Sequence, residues 1–222
     1  MFWNNEELRS RQLASMGVLE TNWARVGFRS REFIINTNLL PKADAPSSLL
    51  ELTNPVFRGR LALAYPLFGT TATHFMALRQ VWGEPGWRQW CEALTANQPL
   101  LVEGNSVVVR MVAQGEAWIG LTDSDDIRAG LRQGWPVRAV SFRESLRIPN
   151  SVVRVRGGPN VSEAGALIEY LSGSRVTDEL VKVGALQSAV WNSGAETLEP
   201  DWGVVLREMD SAIEELKRIF LR

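Results

Sequence analysis

Residues 117–134 read AWIGLTDSDDIRAGLRQG: an apolar run, three aspartates within four positions, then an amphipathic stretch closed by glycine. AWIGLT (117–122) predicts a buried strand, and SDDIRAGLRQG (124–134) a short helix stopped at Gly134. A strand passing straight into a helix is the unit of an α/β fold, and the same grammar recurs on both sides. RLALAYP (60–66) predicts a strand before a helix opened at Gly69-Thr70-Thr71, with Phe75, Leu78 and Trp82 on its apolar face. PLLVEG (99–104) predicts a strand before a helix capped at Asn105-Ser106, with Val107, Val108, Met111 and Val112 turned inward. REFIINTNLL (31–40), VRAVSF (137–142) and NSVVRVR (150–156) add strands. Helices are expected around Trp87–Leu94 and at about 162–172 and 174–183. A last one lies in LREMDSAIEELKRIFLR (206–222), where Leu206, Met209, Ile213, Leu216 and Phe220 recur by three and four. Strands separated by such helices imply mainly parallel sheet.

In sheets of this kind ligands sit beyond the carboxyl ends of the strands, at helix N-termini. Three junctions qualify: Gly69–Thr71, Asn105-Ser106 and Asp123–Asp126. The first lacks the Gly-Lys of a phosphate-binding loop, which speaks against a nucleotide site; it is either a helix cap or a seat for a small oxyanion. The aspartates Asp123, Asp125 and Asp126 fail the calcium-loop template, because Ile127 and Arg128 stand at its fifth and sixth places. Carboxylates at a helix start stabilise the macrodipole, and that alone accounts for one of them. Three exceed a cap, and their repulsion favours a bound cation.

His74, the only histidine, is read as structural, with no Ser-His-Asp or metal spacing beside it. Cys91 lies in GWRQWCEAL with Trp87, Trp90 and Leu94 at helical spacing. That makes it a buried thiol rather than a nucleophile, and a single cysteine forms no internal disulfide. No catalytic signature is present, so no enzyme is expected.

At 222 residues with 45% hydrophobic and 22% charged residues, the chain is globular in composition and sized for one or two domains. A net charge of −1 gives no general attraction to nucleic acid. No run of 18 apolar residues spans a membrane. MFWNNEELRSRQ lacks the apolar core of a signal peptide, so the chain as written is expected to stay in the cytoplasm.

Several segments, in order, resemble the extracytoplasmic solute-binding proteins of bacterial ABC importers, in the ferric-ion-binding branch. They are FWNNE (2–6), GFRSREFIINTNLL (27–40), LLELTNPVFRGRLALAYPLFGTTATH (49–74), EGNSVVVRMVAQGEAWIGLTDSDD (103–126), IPNSVVRVRGGPNVSEAGALIEYLSG (148–173) and the closing DWGVVLREMDSAIEELKRIFLR. The resemblance implies a two-lobed periplasmic-binding-protein type II architecture on a two-strand hinge. Residues 38–142 would form a complete lobe two. Residues 1–37 and 143–222 would form a partial lobe one with the closing helices, lacking its N-terminal strand–helix units. Such a chain is expected to be less stable than a full member, or to dimerise through the incomplete lobe.

By motif, Thr70, Thr71 and Asn105, with Ser106 beside it, fall at contacts to a synergistic anion. Asn5 or Glu6 lies near the first-lobe carboxylate ligand. Asp125 and Asp126 fall where the ferric binders place two adjacent tyrosines; this chain has only Tyr65 and Tyr170. Carboxylates are hard donors for Fe(III) or Ca²⁺ and serve equally for an organic ammonium. The solute implied is thus a ferric species with its anion, or a cationic or zwitterionic molecule such as a polyamine or aminophosphonate. The implied partner is an inner-membrane ABC permease, the implied location the periplasm, and no cofactor is implied. Three other readings remain. They are a cytosolic effector-binding regulatory domain of the same fold, a non-functional truncated remnant, and an enzyme acting on a phosphorylated molecule held by the threonine and asparagine caps.

Overall fold

The structure, a computed structural model, describes residues 23–155, 158–190 and 197–221. The chain divides into two compact units, residues 30–147 with 196–222 and residues 1–29 with 148–195.

The larger unit is built on a mixed sheet whose strands are β1 (Trp23–Asn36), β2 (Leu61–Ala64), β3 (Leu100–Val102), β4 (Ile119–Asp123) and β5 (Val137–Val140), in the order β3-β2-β4-β1-β5. β6 (Arg147–Val153) pairs with β1 off this path. β2 runs parallel to β3 and β4, as alternating strands and helices require. β1 runs against β4, with Arg31 opposite Asp123 and Ile35 opposite Ile119. That reversal brings the middle of β1 to the edge where the parallel strands end.

Alternation along the strands sorts the core into two layers. Phe33, Ile35, Leu61, Leu63, Ile119 and Leu121 face one side. There they meet α1 (Gly69–Trp82), α2 (Glu84–Ala96) and α7 (Trp202–Phe220) through Phe75, Leu78, Trp87, Trp90, Leu216 and Phe220. Ile34, Ala62 and Ala64 face the other side, under Val108, Val109 and Val112 of α3 (Asn105–Gln114) and Ile127 of α4 (Ser124–Arg132). The unit is therefore helix, sheet, helix.

α3 lies so close to β4 that a Cβ on Gly120 would stand 2.4 Å from Val108 Cγ1. Gly120→Ala is expected to overpack this layer and cost about 1–3 kcal/mol in a denaturant melt. A loss below about 0.5 kcal/mol would mean that α3 shifts freely.

Several sequence expectations shift in the structure. The strand expected over 31–40 ends at Asn36, whose Oδ1 accepts from the Asn38 amide at 2.9 Å and turns the chain out of the sheet. Its Nδ2 donates to the Val112 carbonyl at 2.7 Å and so ties the turn to α3. The strand expected at 150–156 begins at Arg147. The terminal helix begins four residues early because the Asp201 side chain accepts from the Gly203 and Val204 amides. Its buried stripe is Val205, Ala212, Leu216, Ile219 and Phe220, while Leu206 stays 69% exposed. Glu215 and Glu208 of α7 pair with Arg79 of α1, and Glu215 also pairs with Arg88 of α2. The closing helix thus belongs to the unit containing 38–142, whereas the expected partition grouped it with 1–37.

The smaller unit holds the first half of β1, most of β6, α5 (Val161–Ser172) and α6 (Ser174–Lys182). Phe28 pairs with Ser188 through backbone bonds, and Leu186 packs so closely on Gly27 that a Cβ there would lie 2.7 Å from it. Among the described residues no helix is long and apolar enough to cross a membrane.

Candidate solute-binding edge

β2, β3 and β4 each end where a helix begins, so α1, α3 and α4 open on the same edge of the sheet. The first amides of each helix have no partner within it. The residues at the three N-cap positions, Phe68, Gly104 and Asp123, make no side-chain cap bond. The expected cap at Asn105-Ser106 is therefore replaced: Gly104 is the N-cap, and Asn105 turns elsewhere.

It turns into a polar knot centred on Arg31 and Asp123, which pair at 2.6 Å with side chains 0% and 1% exposed. Asp123 Oδ2 accepts from Thr70 Oγ1 at 2.7 Å and from Asn105 Nδ2 at 3.0 Å. Arg31 Nη1 also donates to Thr70 Oγ1 at 3.3 Å and Asn105 Oδ1 at 3.2 Å, and Nη2 donates to Thr71 Oγ1 at 3.3 Å. Asn105 Nδ2 reaches Thr70 Oγ1 at 2.9 Å, closing the ring. Ser145 Oγ fixes the Arg31 carbonyl at 2.7 Å from behind. Two buried charges cost several kcal/mol each to desolvate, so this pair persists only because donors and acceptors surround it.

The structure thus joins Thr70, Thr71, Asn105 and Asp123, four residues singled out from the sequence. Asp125 and Asp126 are half-buried in the first turn of α4, and their carboxylate oxygens lie within 4.8 Å of each other and of one on Asp123. Ser106 is exposed in the first turn of α3. Asn5 and Glu6 lie outside the described residues. Arg31 was not anticipated. A charged residue two positions before Phe33 and four before Ile35 falls on the buried face of its strand, and that placement is the signal that a partner must exist.

His74 sits three residues into α1 from Thr71, fully buried, with Nε2 2.7 Å from the Glu144 carbonyl. Burial, then the Arg31 charge, hold its pKa down at about 3 against the bond to Glu144, so it stays neutral. Cys91 is buried in the α2 core, and burial pushes its thiol far above the ordinary range. Neither behaves as a reactive group.

Comparison with known proteins gives the family of the chain. The family described as bacterial extracellular solute-binding protein matches residues 11–202. An Fe(3+)-binding periplasmic protein of Serratia marcescens is 26% identical over 179 residues, 76% of this chain and 52% of that protein. The chain therefore spans about half the length of this curated relative. Iron-bound HitA of Pseudomonas aeruginosa superposes with TM-score 0.73 at 17% identity, covering 96% of this chain and 79% of its own. AfuA of Actinobacillus pleuropneumoniae, with exogenous fructose-6-phosphate bound, gives 0.78 at 19% identity, covering 90% and 69%. The structural likeness speaks for the fold, that of two-lobed periplasmic binding proteins. With the family matched over most of its length, the chain belongs to the bacterial extracellular solute-binding proteins.

Proposed function

We propose that this chain captures a small solute for an ABC importer of the periplasm, handing it to an inner-membrane permease, with no chemical step. The solute proposed first is a cationic one, a ferric species ahead of an organic ammonium. The observation that carries this reading is the pair Asp125 and Asp126, half-buried at the start of α4, whose carboxylate oxygens lie within 4.8 Å of each other beside the Arg31-paired Asp123. Hard oxygen donors suit Fe(III), and the Serratia relative is named for Fe(3+) binding. A second reading, a solute carrying a phosphate, is favoured by the hydroxyl and amide groups of Thr70, Thr71 and Asn105 at open helix N-termini. The AfuA neighbour was solved with a sugar phosphate.

Thermal unfolding with ferric citrate, spermidine, 2-aminoethylphosphonate and fructose-6-phosphate separates these classes. A ligand at a hundred times its dissociation constant stabilises the folded state by about 2.7 kcal/mol. That gain is expected to vanish in the Asp125→Ala, Asp126→Ala double variant. A full gain retained by the folded double variant would remove both aspartates from the site.

A further inference from the structure

Three donors of the polar knot, from three separate elements, converge on one carboxylate. Asp123 Oδ1 accepts from the Arg31 guanidinium, and Oδ2 accepts from the Thr70 hydroxyl and the Asn105 amide. Thr70 and Asn105 stand in the first turns of α1 and α3, and Asp123 stands at the start of α4. The positive ends of three helix dipoles therefore meet around the same two oxygens. A guanidinium, a hydroxyl, a side-chain amide and helix N-termini are the parts from which proteins assemble a seat for a free oxyanion. In this chain the seat is filled from within. Helix capping does not explain the arrangement, because the Asp123 side chain makes no cap bond to α4. Nor does the sheet require it, since a buried ion pair is a poor source of stability compared with apolar residues of similar volume.

We propose that Asp123 is a built-in anion: its carboxylate occupies an oxyanion cradle made by Arg31, Thr70 and Asn105. The cradle is thereby closed to free phosphate, carbonate and formate, and to the phosphate group of any solute. This deepens the proposed solute-binding role by setting the phosphate-bearing reading against the cationic one. Its test uses no solute, so the inference and that role fail separately.

The full chain is melted in chloride, formate and phosphate at matched ionic strength, as wild type and as Asp123→Ala. Asp123→Ala empties the cradle while leaving Arg31 and the other donors in place. The wild type is expected to melt alike in all three salts. The variant is expected to melt lower in chloride and to recover most of that loss saturably with formate, the one-carbon carboxylate that replaces the missing group. The double variant Arg31→Met, Asp123→Ala is expected to lose the response, since the guanidinium is the cradle's main cation. Wild type stabilised saturably by formate or phosphate would overturn the inference, as would a folded Asp123→Ala that formate leaves unmoved. If Asp123→Ala does not fold in any of the salts, calorimetric titration of the wild type with phosphate decides. No saturable heat supports the filled cradle, and a saturable one refutes it.

Discussion

Arg31→Ala is expected to destabilise the protein by about 3–5 kcal/mol, more than half the stability of an ordinary domain of the lower range. The loss does not come mainly from the attraction given up across 2.6 Å. It comes from what is left behind, an Asp123 carboxylate 1% exposed with its counter-charge gone. Thr70 and Asn105 still donate to it, and neither carries a charge. Arg31 also donates to Thr71 and to the Leu121 carbonyl at 3.4 Å, so four further acceptors are under-used once the guanidinium is removed. The paired replacement Arg31→Met, Asp123→Leu removes both charges and is expected to be less destabilised than Arg31→Ala alone. The two single losses will therefore not add. Urea unfolding of the three variants measures this. An Arg31→Ala midpoint within about 0.5 kcal/mol of wild type would mean that water reaches Asp123 and the pair is not sealed.

The residues that build this knot differ in how plainly the sequence announces them. Thr70, Asn105 and Asp123 each follow an apolar run and precede a helical one, so their place at the carboxyl edge of the strands was legible from period alone. Which atoms they hold was not. Asn105 and Asp123 are good cap residues by type, and the local rule assigns them to their own helices; the structure turns both side chains toward Arg31, a partner 74 and 92 positions away in sequence. Long-range pairing of this kind leaves no local trace except a charge on a buried face, which Arg31 supplies. The layer order was equally hidden. Strand–helix alternation implies parallel pairing, and it cannot tell that β1 enters reversed, although that reversal is what puts Arg31 opposite Asp123. In α7 the three-and-four spacing finds Leu216 and Phe220, which are buried, and Met209 and Ile213, which pack half-buried, and it misses only at Leu206, where Val205 is buried instead. Val205 and Ala212 pack with Ala72 and Met76 of α1, and the small Ala212 lets α7 approach them. Cys91 and Trp90 were placed well because α2 carries its apolar residues on a single stripe, and there local pattern and global packing agree.

Acidification from neutral pH to pH 5 is expected to remove about 2 kcal/mol of stability through His74 alone. The ring is fully buried on α1, and the carbonyl of Glu144 can only accept, so the proton of the neutral ring sits on Nε2. Protonation would add a charge at Nδ1, which has no hydrogen-bond partner among the described residues, in the field of Arg31. The folded histidine therefore resists protonation down to about pH 3, while an unfolded one takes its proton near its ordinary value of 6.5. Between those two values the unfolded chain binds the extra proton, so stability is complete above pH 6.5 and is lost as pH falls toward 3. The chain has one histidine, which makes the interval from pH 6.5 to 5 specific to it. Glu32 works the other way: burial raises its pKa against the Arg128 charge, so its contribution is present at low pH and fades as pH rises. That term cancels in the difference between wild type and His74→Gln, whose amide can still donate to the Glu144 carbonyl. His74→Gln is expected to be less stable at pH 7 and to show no loss of its own across this interval, so the two unfolding curves converge as pH falls. The same Glu144 takes the Ser48 hydroxyl at 2.7 Å and the Leu49 amide at 2.9 Å through its carboxylate, and so ties His74 to the turn that packs on Trp90. Parallel pH profiles for wild type and His74→Gln would mean that this turn opens and hydrates the ring before the domain unfolds, which hydrogen exchange at the Leu49 amide would then register as fast local opening.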